Sequence, residues 1–98
     1  MTDQEHAAAW QRVEKLRGHL LQTVTHKTFD VGRVDPGVGV EVCPRSTGNW
    51  RTIPPRTMNR GFAYARSRLP IRPKALADAG VTVMHSAYVA AILRAIAS

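Results

Sequence analysis

A mixed α+β domain is the fold class this chain predicts, on three observations. Apolar residues recur at helical spacing towards both ends, valines alternate with other residues in the middle, and 98 residues suffice for one modest core but not two. The expected architecture is an N-terminal helix, a small antiparallel β-meander of two to three strands, and then three helices packed on the sheet. All of it falls in a single small basic domain over 1–98. Hydrophobic residues at 44% and charged residues at 21% favour a folded globule over a disordered chain.

Thr2, followed three residues later by Glu5, reads as a capping box. Trp10, Val13, Leu16, Leu20, Leu21 and Val24 then recur at roughly helical spacing, which predicts a helix from 3 to about 24. Gly18 lies inside that stretch at a cost of about 1 kcal/mol relative to Ala. It implies either a frayed second half or the close approach of another element. The polar residues Arg12, Glu14 and Lys15 read as a solvated face.

Phe29 and Val31 flank Asp30, and Val38, Val40 and Val42 alternate with Gly39 and Glu41, so two strands are expected. Between them Asp35, Pro36 and Gly37 are the residue types of a type II turn, with Gly37 taking the positive φ. A second turn at 46–49 leads into Trp50, Arg51, Thr52 and Ile53, a third strand that rescues a hairpin otherwise marginal on its own. Pro54 and Pro55 end it, and Pro55 suits the first turn of a following helix.

Met58, Phe62, Ala65 and Leu69 predict that helix from 56 to about 69. Two prolines make 69–73 extended, and a short helix over 74–79 closes on Gly80. The last helix is expected from Ser86, as its N-cap, to 97. Val89, Ile92, Leu93 and Ile96 form its core stripe, and Ala87, Ala90, Ala91 and Ala95 allow another helix to approach closely.

The longest apolar run, 87–93, is far too short to span a bilayer, and no basic start precedes an apolar stretch at the N-terminus, so a cytoplasmic, membrane-free protein is expected. The single Cys43 has no partner for a disulfide or a zinc knuckle and reads as a small residue closing a strand. No Gly-rich phosphate loop, nucleophile elbow or metalloprotease motif is present. His6, His19, His26 and His85 are widely separated, and only His26 with Asp30 and Cys43 could converge. Neither catalysis nor a metal or other cofactor is expected.

The net charge is +7, and eleven of the fourteen basic residues are Arg, the side chain whose planar fork suits phosphate and base stacking. Its distribution is more informative than its size. Residues 1–44 hold five bases and six acids, and 75–98 hold one of each. Residues 45–74 hold Arg45, Arg51, Arg56, Arg60, Arg66, Arg68, Arg72 and Lys74 with no acid at all. On the predicted second helix Arg56, Arg60 and Ser67 point away from the apolar stripe, flanked by Tyr64 and Arg68. A ring among guanidiniums suits nucleotide stacking as well as phosphate contact.

The preceding loop, from Arg45 through Trp50 to Arg51, is rich in short donors and flexible backbone. Nucleic-acid binding is therefore the expected role. Arg56, Arg60, Tyr64 and Arg68 form the docking face, Arg45 and Arg51 grip the backbone, and Arg72 and Lys74 extend the basic surface. DNA is favoured over RNA because no set of exposed sheet aromatics is in view. The alternative is a small adaptor or inhibitor on an acidic protein surface, as a monomer or as a homodimer through Trp10 and the alanine-rich last helix.

Leu76-Ala77-Asp78-Ala79-Gly80-Val81-Thr82 resembles the first helix and turn of bacterial helix-turn-helix repressors, over under a fifth of the chain. The resemblance implies a following recognition helix in the major groove. The pattern then departs, since Val83, Met84 and His85 intervene before that helix, and Ala87, Ala90 and Ala91 carry no base-reading groups. Gly80 is accordingly read as a helix C-cap.

Overall fold

In the computed structural model, which describes residues 2–82 and 84–97, the N-terminal capping box forms as its residue types require. The Thr2 hydroxyl accepts from the Glu5 amide at 3.1 Å, and the Glu5 carboxylate accepts from the Thr2 amide at 3.3 Å. Helix α1, Asp3–Glu14, buries Trp10 and Val13.

It stops ten residues short of the expected end near 24. Gly18 takes φ +81 and donates its amide to the Val31 carbonyl at 2.8 Å, so the chain leaves the helix and enters the sheet. Strand β1, Leu20–Gln22, then pairs antiparallel with β2, Thr28–Asp35, with Leu21 opposite Phe29. Leu20, Leu21 and Val24 belong to that strand and its turn, and Leu20 and Val24 are exposed.

Strand β3, Gly39–Pro44, pairs with β2, and β4, Arg51–Ile53, pairs with β3, giving a four-stranded meander in the order β1-β2-β3-β4. Val31 faces Val42 and Val34 faces Val40, so β2 carries one extra residue between the two pairs. This bulge lets two valines three residues apart both reach the core. The β2–β3 turn differs from the expected type II. The Asp35 carboxylate accepts from the Gly37 amide at 2.7 Å and the Asp35 carbonyl from Val38 at 3.0 Å, while the positive φ falls on Gly39.

Helix α2, Pro55–Arg66, starts on its proline as expected and buries Met58 and Phe62. It ends before Leu69 because Arg68 takes φ +62 and turns the chain away, leaving Leu69 53% exposed instead of in the core stripe. Helix α3, Pro73–Asp78, closes in a Schellman motif: Val81 donates to Leu76 at 2.9 Å, Gly80 donates to Ala77 at 3.1 Å, and Gly80 holds φ +74. Leu76 and Val81, the apolar pair of that motif, are both buried.

Helix α4, Ser86–Ala97, buries Val89, Ala90, Ile92 and Leu93. Its Val89 amide bonds the His85 carbonyl at 2.9 Å, so His85 occupies the N-cap position expected for Ser86. Helix α4 touches each of the other three helices and strand β1. The core is therefore a helical layer on one sheet face, with Phe29, Val31, Val40, Val42 and Ile53 beneath it. No described helix is long and apolar enough to cross a membrane.

Candidate nucleic-acid interface

The acid-free segment 45–74 is divided by the fold into several surfaces. Two of its eight cations are engaged. Arg45 forks onto Asp30 on the outer sheet face, with Nε and Nη2 each 3.2 Å from a carboxylate oxygen, and Arg66 reaches Glu5 of α1 at 2.9 Å. Arg51, Arg56, Arg60, Arg68, Arg72 and Lys74 are exposed, and no ion pair holds them among the described residues.

Arg56 and Arg60 lie one turn apart on α2, opposite the buried Met58 and Phe62. Tyr64 follows on the next turn, but its ring is half-buried against the core and its hydroxyl donates to the Pro70 carbonyl at 2.8 Å. That bond straps the 67–72 segment to α2, and the left-handed Arg68 sits at the bend. Arg72 and Lys74 line a cleft of about 760 Å³ together with Arg94 of α4. Val24, Leu69, Ile71 and Pro73 give that cleft apolar walls, and none of its described lining residues is acidic. Arg94 is the one basic residue of 75–98. Nothing in its local sequence marks the approach of α4 to residues 69–74.

Arg51 belongs elsewhere. Its strand partner is Val42, on the helix-covered side of the sheet, and its side chain lines a hollow with Lys27, Ser46, Ser86 and Tyr88. Its charge, after burial as the larger cause, holds the His85 imidazole below the ordinary histidine range. Trp50 is 57% exposed, its ring lying over the backbone of Gly32.

Trp10 is 5% exposed, donates its indole N–H to Asn59 at 2.9 Å and meets Phe62 edge-on, so it is core and unavailable for the expected dimer contact. The apolar stripe of α4 is spent on the core in the same way. Cys43 is buried opposite Asp30, and among the described residues no three His, Cys, Asp or Glu side chains group as metal ligands. No protein-family model, curated protein or solved structure matches this chain.

Proposed function

We propose that this chain is a non-enzymatic nucleic-acid-binding domain of the cytoplasm that docks on DNA, in preference to RNA, through the outer face of α2 and the segment that follows it. The observation that carries the reading is the set Arg56, Arg60, Arg68, Arg72 and Lys74, all exposed and free of ion pairs among the described residues. A guanidinium held by a carboxylate has already exchanged its water for a partner, whereas these remain open to phosphate oxygens. Arg45 is tied to Asp30 and contributes less, Arg51 contributes from a separate hollow, and Tyr64 acts by bracing Pro70.

DNA is favoured because the open sheet face offers one exposed ring, Trp50, and also carries Asp30 and Glu41, a poor platform for unstacked bases. The test is an electrophoretic shift assay with unrelated duplex DNA, single-stranded DNA and RNA over a salt series. Binding to duplex that weakens steeply with salt is expected. No shift even at low salt would sink the reading and leave an acidic protein surface as the partner.

A further inference from the structure

A second basic feature, separate from the face of α2, is the hollow of about 340 Å³ bounded by the β1–β2 turn, the β3–β4 turn and the start of α4. Lys27 and Arg51 bring it two positive charges, and Thr25, Ser46, Ser86 and Tyr88 bring hydroxyl groups that can both donate and accept. None of the described residues lining it is acidic. The position of Lys27 is fixed by its turn: Thr23, 5% exposed, accepts the Lys27 amide on its hydroxyl at 3.2 Å and donates its own amide to the Lys27 carbonyl at 2.8 Å. Arg51 is anchored through its pairing with Val42. The first turn of the twelve-residue helix α4 also borders the hollow, adding the partial positive charge of a helix amino end.

Two cations and several donors without a carboxylate call for a compact dianion rich in oxygen. A phosphate monoester carries a charge of about −1.5 to −2 at neutral pH and three acceptor oxygens, whereas a backbone diester carries a single charge. We infer that this hollow is a phosphate-monoester site, and that in a nucleic-acid partner the group it takes is the terminal phosphate of a strand. The phosphate site stands on the hollow alone, and its assignment to a strand end rests on the nucleic-acid reading above.

Amide chemical shifts followed during titration with inorganic phosphate, at constant ionic strength against chloride, test the site. Saturable shifts at Thr28, Thr47 and Ser86 are expected, weakened about tenfold or more in Lys27→Ala/Arg51→Ala. The control of equal charge change, Arg12→Ala/Lys15→Ala on the first helix and the turn after it, should saturate as the wild type does. Shifts that never saturate, or equal weakening in both double variants, would overturn the site, and the amide spectra report whether each variant is folded. The second arm compares one oligonucleotide with and without terminal phosphates. The phosphorylated form should bind about tenfold tighter, an advantage lost in Lys27→Ala/Arg51→Ala. Equal affinity of the two forms would overturn the strand-end assignment. Absence of binding by both forms would refute the nucleic-acid reading while the phosphate titration still decides the site.

Discussion

Gly39 shows how much one residue carries in this fold. It holds φ +119 at the start of β3, and a Cβ there would overlap the Ile53 carbonyl oxygen of the neighbouring chain segment. Gly39→Ala therefore combines backbone strain with a clash that no side-chain rotation relieves, and denaturant unfolding should show a loss of about 2–4 kcal/mol. An unchanged midpoint would mean that β3 and β4 can separate freely. His85 makes a second claim at this scale. Burial, then the charge of Arg51, holds its pKa below the ordinary value of 6.5, and its Nδ1 is enclosed with no hydrogen-bond partner among the described residues. The unfolded chain therefore binds more protons than the folded one between 6.5 and that lower value, so this contribution to stability is intact above 6.5 and lost as pH falls through the window. Unfolding measured from pH 7.5 to 5 should show that slope in the wild type and a shallower one in His85→Gln. Parallel slopes would remove His85 as the cause.

Among the elements, α4 binds the molecule together, since Val89, Ile92 and Leu93 are all fully buried between the sheet and the other helices. Ile92→Ala should cost about 2–5 kcal/mol in denaturant unfolding, the usual penalty for emptying a buried aliphatic site. A midpoint that does not move would place this face of α4 at the surface. Helices α2 and α3 and strands β2 to β4 are legible in the sequence because residues with one job bound them, Pro55 at a helix start, Gly80 in a Schellman motif and Asp35 in a turn, whereas α4 is legible from its apolar stripe. Strand β1 is not legible. Its three residues, Leu20–Gln22, are too few to set a period of two apart from the tail of a helix, and only Gly18 hinted at the reversal. Leu69 departs from the core stripe that its spacing predicts for a related reason, because a left-handed Arg68 leaves no local mark.

At the scale of the molecule, the segregation of charge along the chain is visible in the sequence, but its partition in space is not. The block at 45–74 contributes to the α2 face, to a cleft shared with Arg94 and to a hollow shared with Lys27, and two of its arginines are drawn off by Asp30 and Glu5. Those partners lie far away in the sequence and meet only through tertiary packing. We propose that the cations left free on and after α2 contact phosphates. The most direct measurement is the salt dependence of duplex affinity for Arg56→Ala/Arg60→Ala/Arg68→Ala against the control Arg12→Ala/Lys15→Ala/Arg17→Ala, which removes equal charge from the first helix and the turn after it. The docking variant should bind more weakly to every sequence, with a slope of log affinity against log salt reduced by about three contacts, while the control stays near the wild type. Equal affinity and equal slope in the two folded variants would contradict the claim.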